Sequence, residues 1–107
     1  ALLGDADRAF LDFNRAITLN PHDAKAYNNR GNINADRGNF DEAIADYTKA
    51  LELNPGLAPA YVNRARLYFQ NKKYEKSWED VTRAQKLGYQ VSPEFLEELK
   101  KVSGRKK

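Results

Sequence analysis

The stretch AYNNRGN at residues 26–32 returns as AYVNRAR at residues 60–66, an interval of 34. The same shift carries Phe40 onto Tyr74, Asp46 onto Asp80, Ala50 onto Ala84 and Leu53 onto Leu87. Run backwards, it carries Ala9 onto Ala43, Asp12 onto Asp46, Phe13 onto Tyr47, Ala16 onto Ala50 and Asn20-Pro21 onto Asn54-Pro55. A fixed offset over that many positions means that one structural unit is copied along the chain, with half a unit ahead of the first whole one. In such an array each unit buries its apolar face only against its neighbours.

Within a unit, apolar and small residues recur at three- and four-residue spacing in two blocks, the periodicity of helices with one buried face. The spacing predicts helices over 25–37 and 40–53, then over 58–71 and 74–87, with a preceding one over 6–19. Gly38-Asn39 separates the first pair, and Asn54-Pro55 closes it. Gly supplies the left-handed backbone that ends a helix, and Pro disfavours helix in the residue before it. Lys72 stands where the first unit has Gly38, so Asn71 is expected to take the left-handed conformation there. At the far end VSPEFLEELKKV reads as a capping helix, with Ser92 as N-cap and Phe95, Leu99 and Val102 copying the packing face of Tyr61, Ala65 and Tyr68.

These residues resemble the tetratricopeptide repeat, a 34-residue family with an aromatic, a Leu-Gly pair, a Tyr, then Ala, Phe and Pro. Tyr27, Gly31, Ala43, Tyr47, Ala50 and Pro55 fill those slots in one unit; Tyr61, Ala65, Tyr68, Val81 and Ala84 follow in the next, with Ser77 in a small-residue slot and Tyr89 where Pro would stand. The resemblance implies an all-α, right-handed α-solenoid of helix-turn-helix repeats. Its expected parts are an N-terminal half repeat (1–23), repeats at 24–57 and 58–91, a capping helix (92–103) and a basic tail (104–107).

Arg30 and Arg64 occupy the slot where the family has Leu, and a lone charge on a buried face is costly. Each has an Asp sixteen residues later, Asp46 and Asp80, with Asp12 offering a further acid to Arg30. An Arg-Asp ladder through the stack is expected. Asn29 and Asn63 precede these Arg residues by one position and so point about 100° away around the helix. By the resemblance that direction is the concave wall, where extended peptides are held by asparagine ladders in similar proteins. The expected peptide-binding wall comprises Lys25, Asn28, Asn29 and Asn32 from one first helix and Val62, Asn63, Arg66, Phe69 and Gln70 from the next. An Asn amide both donates and accepts, so it can pair with a peptide backbone whatever the peptide's side chains. The clamp by which some relatives grip acidic chaperone tails needs basic residues at slots filled here by Pro59 and Asn63, or by Pro93 and Glu97.

Other functions find less support. The chain lacks Cys and has one His and three Ser, so no catalytic constellation, thiolate metal site or cofactor is expected. Its net charge of +3 comes from Lys100, Lys101, Arg105, Lys106 and Lys107; residues 1–99 carry thirteen basic and fifteen acidic groups, which argues against nucleic acid or membrane docking. The apolar runs are far shorter than the ~20 residues of a membrane span, so a soluble chain is expected, cytoplasmic in preference, its compartment otherwise open. Only ALL precedes the helix at 6–19, leaving an open N-terminal end and suggesting a longer parent chain. The alternative function is therefore a scaffold that self-associates into a homo-oligomer through Leu2, Leu3 and Phe10 or the convex face.

Overall fold

A computed structural model describes residues 4–104, which form six helices and no strand. They are α1 (Asp5–Leu19), α2 (Ala24–Asp36), α3 (Phe40–Leu53), α4 (Ala58–Gln70), α5 (Tyr74–Lys86) and α6 (Pro93–Ser103). The principal pairings join α2 with α3 and α4 with α5; α1 packs on α2, α3 on α4 and α5 on α6. The result is an all-α helical-repeat solenoid. Leu2, Leu3, Arg105, Lys106 and Lys107, named above for self-association and the basic tail, lie outside the described residues.

The turns follow from their sequences. In both Asn-Pro turns the Asn carboxamide accepts from the backbone two residues on: Asn20 from His22 at 3.2 Å and Asn54 from Gly56 at 3.0 Å. Asp23 caps α2 by accepting from the Ala26 N–H at 3.2 Å. After α2 the chain turns on Gly38, at φ +80°, and the Asn39 N–H reaches back to the Asn34 carbonyl. After α4 the same turn is made by Lys72 at φ +63°, with the Lys73 N–H bonded to the Tyr68 carbonyl. Asn71, expected to take that conformation, sits at φ −86°. The reversal is fixed by the distance from the helix end, so the residue in that register adopts it even when it is a lysine.

Small residues sit where helices approach closely. A Cβ on Gly31 would lie 2.7 Å from Cε1 of the buried Tyr47 ring, so no larger residue fits there without displacing the tyrosine. Ala43, Ala50, Ala65 and Ala84 are fully buried, and Ser77, also buried, satisfies its hydroxyl by donating to the Ala65 carbonyl at 2.8 Å. The main core gathers Leu51, Tyr61, Val62, Trp78, Val81, Val91, Phe95 and Leu99. Val62, expected on the binding wall, thus belongs to the core. Ser92 caps α6, weakly at 3.5 Å, and Trp78 holds the other end of that helix through a 2.9 Å bond to Ser103. Phe95 and Leu99 are buried as expected of packing residues, but Val102 is 48% exposed: no described helix lies beside the end of α6 to cover it.

Both ladder arginines are engaged in the same way. Arg30 donates from Nε to Asp46 Oδ2 at 3.0 Å and from Nη2 to Oδ1 at 2.7 Å; Arg64 does so to Asp80 at 2.9 and 2.7 Å. The remaining Nη1 reaches back to the preceding second helix, to Asn14 Oδ1 from Arg30 and to Thr48 Oγ1 from Arg64, each at 3.0 Å. Asp12 is exposed and takes no part, because two residues along a helix turn a side chain about 200° from Asn14. Burial alone would lower the Arg64 pKa, but the hydrogen-bonded, charged Asp80 outweighs it and the guanidinium ends above its ordinary value. Asp46 also accepts from Asn34 Nδ2 at 2.9 Å, whereas Asp80 has, among the described residues, only Arg64 as hydrogen-bond partner.

That difference sets the cost of breaking each pair. Arg64→Ala strands a carboxylate whose side chain is 3% exposed and is expected to cost about 3–5 kcal/mol. Arg30→Ala leaves Asp46 its Asn34 bond and is expected to cost about 1–3 kcal/mol, both measured by urea unfolding. A non-Gly residue in the left-handed region costs about 1–2 kcal/mol, partly offset by the greater unfolded-state freedom of Gly. Lys72→Gly should therefore stabilise the protein by about 0.5–1 kcal/mol, while Asn71→Gly should not.

Candidate peptide-binding groove

The first helices of successive repeats, α2 and α4, stand side by side, and α6 continues their row. Asn28 and Asn32 lie four residues apart on one face of α2. Between them Asn63 of α4 inserts its amide, donating from Nδ2 to Asn28 Oδ1 at 3.3 Å and to Asn32 Oδ1 at 3.1 Å. Asn32 Oδ1 accepts a second bond, 2.6 Å, from the Tyr47 hydroxyl. Both hydrogens of Asn63 are thus committed inside the protein. Among the described residues its Oδ1 has no partner, and neither has Nδ2 of Asn28 or Asn32. Among the described residues no buried side-chain polar atom lacks a partner, so these three groups face solvent.

Two contiguous depressions run beside this cluster. The first, about 490 Å³, lies between α2 and α4 over a floor from α3 and is lined by Asn32, Ala35, Asp36, Phe40, Tyr47, Asn63, Arg66, Leu67 and Gln70. The second, about 310 Å³, lies between α4 and α6 and is lined by Arg66, Phe69, Gln70, Ser92, Glu94, Phe95 and Glu98. Arg66 and Gln70 form the shared rim. Arg66 lays its guanidinium over the Phe95 ring, 5.2 Å from the centroid. Phe69 meets Phe95 and Tyr74 edge-on, with centroids 5.5 and 5.8 Å apart, giving the second depression an aromatic floor.

Of the expected site residues, Asn28, Asn32, Asn63, Arg66, Phe69 and Gln70 therefore gather along one surface. Lys25 and Asn29 are exposed on α2 and line neither depression. Asn29 is the repeat mate of Asn63, yet it makes no side-chain hydrogen bond, because no described helix stands on its side of α2. Sequence reasoning missed the acidic members Asp36, Glu94 and Glu98 and the floor residue Tyr47. The four-residue spacing of Glu94 and Glu98 on α6 was the available signal.

Other features carry no site chemistry of this kind. His22 is exposed in the turn after Pro21, and no group of three His, Asp or Glu side chains among the described residues could hold a metal. No described helix is long and apolar enough to cross a membrane. Phe10, named for self-association, is half-buried with Arg37 over its ring at 4.6 Å; Arg37 also pairs with Asp7.

A row of paired helices with an open groove along the first helix of each pair defines a helical-repeat binding module. Two tetratricopeptide repeat models match, over residues 24–57 and 46–79, together just over half of the chain. The chain belongs to the tetratricopeptide repeat family, whose repeats serve as protein-interaction modules. Among solved structures it is similar to the first repeat domain of Spaghetti (RPAP3) bound to the HSP90 peptide SRMEEVD, with TM-score 0.82, 26% identity, and 94% of this chain and 79% of that one covered. It is also similar to the TPR2B-domain:pHsp70 complex of yeast Sti1, with TM-score 0.79, 28% identity and coverages of 96% and 86%. YrrB, a repeat protein described as having an unusual peptide-binding site, matches with TM-score 0.74, 29% identity, and 84% of this chain against 46% of its own. The chain spans about half the length of YrrB and, likewise, of MamA. No curated protein sequence matches it.

The Tyr47 hydroxyl links core to groove and is the group whose titration reports on both. Burial, with the nearby Asp36 and Asp46 charges, pushes its pKa up to about 12. A folded pKa above the unfolded value of about 10 means that the folded state holds the proton more tightly. The stability so gained is complete below pH 10 and is lost as pH rises from 10 to 12. Denaturant unfolding across that interval should show the decline, and Tyr47→Phe should make it shallower.

Proposed function

We propose that this protein is a non-enzymatic interaction module that holds an extended peptide segment of a protein partner along the α2–α4–α6 groove. The single observation that carries the reading is the Asn28–Asn63–Asn32 cluster. It presents two outward N–H2 donors and one carbonyl acceptor, fixed by bonds between two repeats. An extended backbone offers C=O and N–H groups in alternation, so such a set pairs with it whatever its side chains. Arg66, Phe69 and Gln70 add a cation, an aromatic surface and a further amide along the same path. The peptide complexes among the similar structures support a peptide as the ligand class. The acidic-tail clamp remains disfavoured by Pro59, Asn63, Pro93 and Glu97 at its basic slots.

Lys25 and Asn29 extend the path only for a ligand long enough to cross α2. At about 1 kcal/mol net per hydrogen bond, the amides contribute part of the roughly 8 kcal/mol of a micromolar complex, and the aromatic floor supplies more. The test uses peptides selected from a random display library on the immobilised protein. Asn32→Ala is expected to weaken a selected peptide about fivefold, with Asn28→Ala/Asn32→Ala weaker again and Asn29→Ala nearer native. Unchanged affinity in the Asn28/Asn32 double variant, with unchanged melting, would reject the amide mechanism.

A further inference from the structure

The groove's ionised lining is unbalanced. Asp36 stands in the first depression and Glu94 and Glu98 in the second, against one cation, Arg66, shared between them. Arg66 makes no ion pair among the described residues: its guanidinium is laid on the Phe95 ring instead. Glu98 forms neither a salt bridge nor a hydrogen bond among the described residues, although its neighbour Glu97 pairs with Lys100 at 3.5 Å. Glu94 accepts only from Ser92 Oγ, on Oε2 at 2.8 Å, leaving Oε1 open.

In the repeat frame Glu98 stands at the ladder slot. Shifted by 34 it falls on Arg64, the ladder position, and Thr82 falls on Thr48, the acceptor from the preceding second helix. In the two whole repeats that slot holds an arginine bonded to both neighbours; on α6 it holds an acid, and no ladder bond forms. Two like charges one helical turn apart repel, which disfavours α6 by a few tenths of a kcal/mol unless a cation comes between them. Below them the Phe69 and Phe95 rings offer an apolar, electron-rich surface of the kind on which the stem of a lysine or the plane of an arginine rests.

We infer that the groove selects peptide segments carrying a lysine or arginine, whose cation seats between Glu94 and Glu98 over the Phe69–Phe95 floor while the backbone runs toward the Asn28–Asn63–Asn32 amides. The inference rests on the peptide-binding reading above and adds the charge of the ligand to it. A cation at that point gains two carboxylate partners, and an acidic residue meets repulsion from both. Arg66, already covering one face of Phe95, does not cancel this, because three carboxylates line the two depressions against it.

The experiment selects a random heptapeptide display library on the native protein and on Glu94→Lys/Glu98→Lys. Sequences enriched on the native protein should be rich in Lys and Arg and poor in Asp and Glu, and the charge-reversed variant should lose or invert that bias. For the strongest basic peptide, Glu98→Gln should raise Kd about tenfold, with the difference shrinking as salt is raised. Enrichment of acidic or uncharged peptides, or a basic bias that survives charge reversal, would overturn the inference while leaving the groove reading intact, provided Asn28→Ala/Asn32→Ala still weakens binding. No enrichment above bare support would overturn both. Melting of each variant near the native temperature excludes loss of fold, and these carboxylates sit at the exposed rim.

Discussion

The bidentate arginine–aspartate pair within each repeat is the interaction on which the rest of the structure depends. Arg64 holds Asp80 on the second helix of its own repeat through two bonds and Thr48 on the preceding repeat through a third. Arg30 repeats this with Asp46 and Asn14. A planar guanidinium with donors in a fixed fork sets both the distance and the rotation of three helices at once, which a leucine in the same slot cannot do. Replacing a buried ion pair with apolar residues is often no loss in stability, so what the pair adds is register. Asn63 follows from that register: one residue before Arg64 and about 100° around the helix, its amide arrives between Asn28 and Asn32.

The second constraint is the contact between Gly31 and Tyr47. With no Cβ at Gly31, the Tyr47 ring lies against the α2 backbone, and its hydroxyl emerges beside Asn32 at 2.6 Å. One tyrosine therefore fills the core of a repeat and orients the carboxamide that borders the groove. Because the hydroxyl occupies Asn32 Oδ1 together with Asn63 Nδ2, the Asn32 N–H2 is left pointing outward. The groove's polarity is a by-product of how the core is packed, and a peptide bound as proposed would meet donors that are already immobilised rather than amides that must be ordered on binding.

Much of the fold was legible because the repeat interval sets every slot twice. Small residues at 43, 50, 65 and 84, the Asn-Pro turns and the Arg-Asp partners all follow from periodicity, and helix ends fall within a residue of expectation. What was not legible depended on neighbours that the repeat does not encode. Asn29 and Asn63 are identical in sequence frame, yet one has a helix beside it and the other does not. Val62 turned inward because α6 and α5 close over α4, and Val102 stayed out because no described helix covers that end of α6. Asp12 was chosen for its charge, where a neutral acceptor, Asn14, had the right angle. Lys72 took a backbone conformation that residue preference assigns to Asn, because the position of the turn outweighs a preference worth about 1 kcal/mol.

In the proposed peptide-binding reading, the carboxamides and the carboxylates divide the work of recognition in physical terms. Amides paired with a peptide backbone give affinity that is nearly blind to sequence, since every residue but proline presents the same N–H and C=O. A groove built of amides alone would hold many extended segments with similar strength. Specificity is a difference of affinities, and it is won as much by repelling wrong ligands as by attracting right ones. On α6 the slot that carries arginine in the whole repeats carries Glu98 instead, which ends the ladder and places an unpaired charge at the groove rim. α6 is thereby free of the ladder's demands on its sequence. Among the described first-type helices it is the one whose polar residues, in the proposed reading, can be chosen for the ligand rather than for the fold.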